Sequence, residues 1–289
     1  MKINIDDFLV REDSKVKLDK WATSVRPYYR SKEQYEKLLS EHVDKLRDLQ
    51  PVLYADDRYA LLIIFQAMDA AGKDGAIKHV MSGVNPQGTH VVSFKHPGPD
   101  VLDHDFLWNA SRHLPARGQI GIFNRSYYEE VLIVRVHHRL LQAQALPDEA
   151  RDSVWEKRYR SIRDFERHLQ ANGTRVVKFF LHLSKEEQRK RFLSRLEEPD
   201  KNWKFNEGDI EERKYWDDYM KAYGECCSAT STKDAPWHIV PADDKRNARL
   251  IVSKVVIETL KALPIAYPKV DARRRKALQK YRKLLSKAD

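Results

Sequence analysis

One stretch limits the fold more than any other: Leu61-Leu62-Ile63-Ile64-Phe65-Gln66-Ala67-Met68-Asp69-Ala70-Ala71-Gly72-Lys73-Asp74-Gly75. An apolar run of strand length breaks into small residues and then meets a lysine, which is the pattern of a buried strand, a phosphate-sized turn and the first turn of a helix. Free N–H groups at a helix start, the helix dipole and the Lys73 ammonium together favour an anion there. The stretch is a candidate P-loop with two departures from G-x-x-x-x-G-K-[ST]: Ala67 stands at the first glycine, and Asp74 stands where a hydroxyl normally reaches Mg²⁺.

The rest of the 289-residue chain supplies what such a loop needs. Ser31 can cap a helix through Tyr35, Leu38, Leu39, Val43 and Leu46 that ends before Pro51. Strands are expected at Ala60 to Gln66, Thr89 to Phe94, Gln119 to Phe123, Arg175 to Leu183 and Trp237 to Pro241. Helices are expected at Lys73 to Met81, from Asp103 through Leu114, and from about Asp148 to Ala171 with Asn172-Gly173 as its stop. Between them Lys95-His96-Pro97-Gly98-Pro99-Asp100 holds two prolines and a glycine, which forbid regular structure. Strands alternating with helices imply a parallel, doubly wound α/β sheet in one domain with appendages.

Composition excludes several classes. No apolar run is long enough to cross a bilayer, and the acidic start Met1-Lys2-Ile3-Asn4-Ile5-Asp6-Asp7 lacks the features of a secretory signal. Two adjacent cysteines, Cys226 and Cys227, provide no disulfide framework and are expected to be buried small residues, so a reducing, cytoplasmic setting is the expectation. Net charge is +10, but residues 269–289 hold nine Lys or Arg against two Asp, so most of that charge belongs to the tail.

In an open parallel sheet, ligands bind beyond the carboxyl ends of the strands. Four such ends carry chemistry: Met68, Asp69, Gly72, Lys73 and Asp74; Lys95 and His96; Asn124 and Arg125; and His182 with Ser184. Carboxylates beside a phosphate site repel phosphate unless a metal lies between, which points to Mg²⁺ and to Asp69 rather than Asp74, whose charge also suits a first helical turn. Arg125 can clamp a transferring phosphoryl group; its alternative is a structural salt bridge. Ser126 lacks a nucleophile elbow and reads as a helix cap. Residues from Arg189 to Arg213 form a basic segment around Glu197-Glu198-Pro199 and Trp203-Lys204-Phe205, with Arg191 and Arg195 on one helical face, which suits a mobile flap or a solvated pair of helices. No His-Glu-x-x-His or cysteine pair at zinc spacing occurs, and His137-His138 reads as structural or solvent-facing.

The segments Phe65 to Gly75, Gly83 to Gly88, Phe123 to Leu132, Trp203-Lys204-Phe205, Trp216 to Tyr219, Ala229 to Thr232, Ala235 to Trp237 and Val240 to Lys245 closely resemble the polyphosphate kinase 2 family, in order, from roughly Asp57 to Leu263. The Ala67 and Asp74 departures are the form that family uses. The resemblance implies a P-loop kinase-like three-layer α/β/α sandwich with a mainly parallel sheet. It divides the chain into a helical extension over 1–56, a phosphotransferase domain over 57–263 with a lid at about 189–225, and a basic helical tail over 264–289.

The same resemblance implies a function and a set of residues for it. Asp69, Lys73 and Arg125 are expected to be catalytic, with Asp69 on Mg²⁺ or on Mn²⁺ in its place. Phosphates are expected on Ala70, Ala71, Gly72, Lys73, Asp74, Gly75 and Arg125, and on the lid residues Arg191, Arg195, Lys201 and Lys204. Nucleotide is expected at Asn85, Lys95, Asn124 and Glu129. The implied reaction moves a phosphoryl group reversibly from inorganic polyphosphate to AMP or ADP, giving ADP or ATP, with guanine nucleotides as further candidates. The form Tyr127-Tyr128-Glu129-Glu130-Val131-Leu132 resembles the subgroup that accepts both AMP and ADP. A homo-oligomer is expected, and no membrane or nucleic acid partner. Two rivals stand beside this reading: an ATP-using nucleotide kinase of the same fold, and a nucleic-acid-binding protein acting through Arg273-Arg274-Arg275-Lys276. The tail's Leu278, Tyr281, Leu284 and Leu285 also suit a surface helix that packs on the body or on another subunit.

Overall fold

Leu61, Ile63 and Phe65 point to one side of their strand and Leu62 and Ile64 to the other, and each set enters a separate apolar cluster. A strand buried on both faces has to lie inside a sheet covered by helices. In the computed structural model, which describes residues 3–286, that sheet has six strands: β1 (Leu9–Val10), β2 (Ala60–Ala67), β3 (Thr89–Ser93), β4 (Ile120–Asn124), β5 (Thr174–His182) and β6 (Trp237–Pro241). Met1, Lys2 and residues 287–289, the outer ends of the acidic start and of the basic tail, lie outside the described residues. The strand order is β1-β6-β5-β2-β4-β3, with every pair parallel except β1 on β6.

Two helical layers flank the sheet. On one face lie α1 (Lys32–Asp56), α2 (Lys73–Val80) and the Lys245–Lys261 helix, which cover Leu61, Ile63, Phe65, Val177 and Phe179. On the other, the Val154–Ala171 and Trp216–Thr230 helices cover Leu62, Ile64, Phe123, Phe180 and Trp237. The result is the expected three-layer sandwich. Cys226 and Cys227 are fully buried in the second layer, as their size suggests.

Several element boundaries differ from the expectation, each for a local reason. Ser31 caps α1 by accepting from the Gln34 N–H at 3.2 Å, but α1 continues through Pro51 to Asp56. Leu46 and Leu53, 1% and 0% exposed on either side of the proline, tie both halves to the core, and their burial outweighs a penalty of about 3 kcal/mol. Pro99–Leu102 is a short helix that starts within the segment expected to be irregular, because proline at the first helical position gives up only an N–H that has no partner there. The Asp103 to Leu114 segment is helical only at Trp108–Ser111, where the Asp105 carboxylate holds the Leu107 N–H at 2.9 Å in a turn. The Asp148 to Ala171 helix is broken at Ser153, whose φ of 49° separates Asp148–Arg151 from Val154–Ala171.

Beyond β5 the Lys185–Glu197 helix leads into an arch, Pro199–Lys204 and Glu207–Glu212, none of whose residues is buried. Of the span expected as lid, the Trp216–Thr230 helix is instead core, with Trp216, Tyr219 and Tyr223 buried. No helix among the described residues is long and apolar enough to cross a membrane.

Candidate active site

The ends of β2, β3, β4 and β6, together with the Lys185–Glu197 helix and the arch, enclose a cleft of about 870 Å³. Ala70 (φ 63°) and Gly72 (φ 104°) both adopt left-handed backbone and turn the chain from β2 into α2, leaving the first N–H groups of α2 facing the cleft. A residue with a side chain is strained at Gly72 by its φ alone. Gly75 serves differently: a Cβ there would come within 3.3 Å of the Arg249 guanidinium, so its smallness lets a second cation approach the loop.

The chemistry-bearing side chains of this cleft are already linked. The Lys73 ammonium donates to the Ala67 carbonyl at 3.0 Å, and burial, then the neighbouring Arg125, lowers its pKa. Arg125 donates to the Asp69 carboxylate at 2.9 Å and stands 3.8 Å from Glu129. Its own backbone is left-handed at φ 62°, with its N–H on the Phe65 carbonyl at 3.0 Å, so the strand end holds it in a strained turn aimed at the loop. Asn124 donates to the Asp74 carboxylate at 2.5 Å. Ser126 accepts from the Tyr128 N–H at 3.2 Å and caps the turn Tyr127–Val131, the role its context suggested.

The cleft lining includes Asp69 to Gly75, Lys95, Asn124, Arg125, Arg191, Arg195, Lys201 and Lys204. Two expected nucleotide residues are not brought there. Asn85 exchanges backbone hydrogen bonds with the Gln50 amide at 3.0 and 3.1 Å and caps Pro86–Gly88, which makes it a turn residue joined to α1. Glu129 lies behind Arg125, its pKa raised by burial. Arg191, expected as a phosphate-binding lid residue, lines the cleft but is held by the protein itself. It is 7% exposed, and its guanidinium donates to the carbonyls of Ala70, Ala71, Ala242 and Asp243 and to Glu187, so every N–H has a protein acceptor. Arg195 is held by Asp209 at 2.9 Å, whereas Lys95 is exposed at the cleft edge.

Lys245, Arg249 and Lys78 line the cleft as well and were missed. Lys245 begins the helix directly after β6, so the strand-end rule, applied to a fifth strand, would have found it. Its pKa is lowered by burial and then by Arg191, the mark of cations gathered with too few anions. Asp69 and Asp74 are the carboxylates of the loop, and no group of three His, Cys, Asp or Glu able to hold a metal occurs among the described residues. That donor set fits Mg²⁺ only in its substrate-bridged mode, with one or two carboxylates and phosphate oxygens completing the shell.

A strand-turn-helix phosphate loop at the switch of a parallel sheet, faced by converging cations from three further elements, defines a P-loop phosphotransferase. The Polyphosphate kinase 2 family model matches residues 29–267. Over 289 residues the chain is 61% identical to the ADP-polyphosphate phosphotransferase of Rhodopseudomonas palustris, covering 99% of this chain and 100% of that one. It is 46% identical over 224 residues to the AMP/ADP-polyphosphate phosphotransferase of Meiothermus ruber, covering 78% and 80%. The crystal structure of polyphosphate kinase 2 from Arthrobacter aurescens TC1 superposes with a TM-score of 0.83 at 40% identity, over 92% of this chain and 93% of that one. The chain belongs to the polyphosphate kinase 2 family.

Proposed function

We propose that this protein transfers the terminal phosphoryl group of inorganic polyphosphate to a nucleoside phosphate, forming ATP from ADP and ADP from AMP, reversibly. The observation that carries this reading is the cleft itself: the family's loop and Arg125 face a basin that also gathers Lys78, Lys245 and Arg249, the last two close against the loop, with Lys201 and Lys204 of the arch in the same lining. So many cations around one phosphate loop suit a donor that carries a negative charge on every unit.

In the reaction a terminal oxygen of the acceptor phosphate attacks the end phosphorus of the polymer in line. The new P–O bond forms as the bond to the bridging oxygen breaks, and the polymer leaves one unit shorter. Both reactants are anionic at neutral pH, so catalysis rests on positioning and on spreading charge rather than on a general base. Lys73 and the N–H groups of α2 hold the transferring phosphate, Arg125 stabilises charge on its equatorial oxygens, and Arg195, Lys201 and Lys204 draw the arch over it. Asp69 is the residue that would hold Mg²⁺, or Mn²⁺ in its place. That ion, when bound, neutralises phosphate charge and so removes the repulsion between substrate and carboxylate.

Polyphosphate with ADP, or with AMP, and no ATP is expected to yield ATP or ADP in the presence of Mg²⁺. Failure of both acceptors, with turnover restored by ATP as donor, would assign the cleft to an ATP-dependent kinase. ADP is the acceptor named for the 61% relative, and both are named for the 46% relative. Comparing the two acceptors therefore also tests the subgroup. The protein is read as cytoplasmic, in keeping with two unpaired, buried cysteines.

A further inference from the structure

The Ala272–Leu285 helix has no part in the cleft, and among the described residues none of its side chains is buried. It comes after a segment, 264–271, without regular structure, and is started by Asp271, whose carboxylate accepts from the Arg274 N–H at 2.7 Å. At 100° per residue, Arg273, Lys276, Lys280 and Lys283 fall on one face, with Leu284 at its edge, while Leu278, Tyr281 and Leu285 fall on another together with Arg274. With a rise of 1.5 Å per residue, the four cations form a stripe roughly 15 Å long. Among the described residues, none of the four makes an ion pair or a side-chain hydrogen bond. In the cleft, Arg125, Arg191 and Arg195 each meet a carboxylate, while Lys78, Lys245 and Arg249 form no ion pair among the described residues.

A row of cations that the protein leaves uncompensated favours a polyanion, because binding releases the polymer's condensed counterions. We infer that the Arg273-Lys276-Lys280-Lys283 stripe is a second, non-catalytic polyphosphate site that tethers a long donor chain while its end occupies the cleft. The inference rests on polyphosphate being the donor. Nucleic acid is the other polyanion to weigh, but single strands are held by aromatic platforms set among the cations. Here the one aromatic of the helix, Tyr281, lies about 100° round the axis from Lys280 and off the stripe. A surface that offers charge without stacking matches a polymer that has charge and no bases. Tethering on the same molecule raises the effective concentration of the donor at the cleft, a benefit open to chains long enough to span both sites and closed to short ones.

The test uses the full chain carrying R273Q, K276Q, K280Q and K283Q together, since glutamine preserves helix propensity. Helicity by circular dichroism is expected to match the parent. For long-chain polyphosphate KM is expected to rise about ten-fold with kcat retained, whereas KM for tripolyphosphate stays put. Each neutralised phosphate contributes about 0.7 to the salt slope for a single strand, so the slope for binding long-chain polyphosphate should fall by roughly 3. An equal KM for long chains in both proteins, or an equal rise for tripolyphosphate, overturns the inference. So does tighter binding of single-stranded RNA than of polyphosphate of equal length by the parent, with loss of the RNA in the variant. Binding of fluorescent polyphosphate is read without turnover; a parent that binds through the stripe yet fails to phosphorylate ADP or AMP would sink the donor reading and leave the binding site standing.

Discussion

At the scale of single residues, the cleft separates groups that meet substrate from groups that hold them. Lys73 and Asp69 face the site with partners they can exchange, the Ala67 carbonyl and Arg125. Lys73→Ala and Asp69→Asn are each expected to lower kcat by about a hundred-fold or more, roughly 3 kcal/mol of transition-state stabilisation, with unchanged urea unfolding curves. Arg191 belongs to the second kind. Its planar fork bridges the phosphate loop to the backbone after β6, a geometry an ammonium with three donors cannot reproduce. Arg191→Lys is therefore expected to cut kcat roughly ten- to a hundred-fold while KM for polyphosphate moves less than about two-fold, the signature of a misplaced loop. A KM that rises in step with the loss of kcat would return Arg191 to the phosphate-binding set. The family resemblance puts Arg191 among the phosphate residues, and helical spacing adds only that it shares a face with Arg195; neither reveals which acceptors lie opposite.

At the scale of elements, the loop, α2 and the strand ends were legible because their chemistry is local: a strand of apolar residues, small residues at the turn, and a lysine at the helix start. Lys178 shows where that legibility ends. It reads as an ordinary interruption of the β5 run, yet it is fully buried, donating to Glu166 at 2.5 Å, the Tyr128 hydroxyl at 2.9 Å and the Thr230 carbonyl at 2.8 Å. Glu166 also accepts from Tyr127 and Tyr128, both at 2.8 Å. One ion pair thus fastens β5, the Val154–Ala171 helix, the end of the Trp216–Thr230 helix and the turn just past Arg125. Nothing in sequence spacing joins 166 to 178 to 128, since the partners meet only after the sheet and its second layer have assembled. Lys178→Met or Glu166→Gln alone is expected to cost about 3–5 kcal/mol of unfolding free energy, because each leaves a buried polar group without its partner. The double change Lys178→Met with Glu166→Gln should cost less than the sum of the two, read from urea midpoints, and additive losses would show that the pair is not coupled.

For the whole molecule, the alternation of strands and helices sufficed for the parallel sheet and its two covered faces, since a strand apolar on both sides admits few other settings. Strand β1 escaped notice: two residues, Leu9 and Val10, carry no period, and their pairing with His238 and Trp237 spans most of the chain. That antiparallel edge nevertheless pairs Leu9 directly with His238, which is 4% exposed with Nδ1 buried and without a partner among the described residues. Burial pushes its pKa down from the ordinary 6.5 to about 4. With the folded value below the unfolded one, the unfolded chain takes up the proton first as pH falls, so stability is complete above about 6.5 and declines toward 4. Between pH 7 and pH 5 this one group should remove about 2 kcal/mol. His42, likewise lowered to about 4 by burial and then by Lys45 and Lys254, titrates in the same window and leaves a pH dependence in any His238 variant. The measurable quantity is therefore a difference of differences. Urea unfolding of the parent and of His238→Gln at both pH values should show the variant less stable at pH 7 but losing about 2 kcal/mol less on acidification. An identical loss in both proteins would mean that the edge strand opens enough to protonate His238 in the folded state.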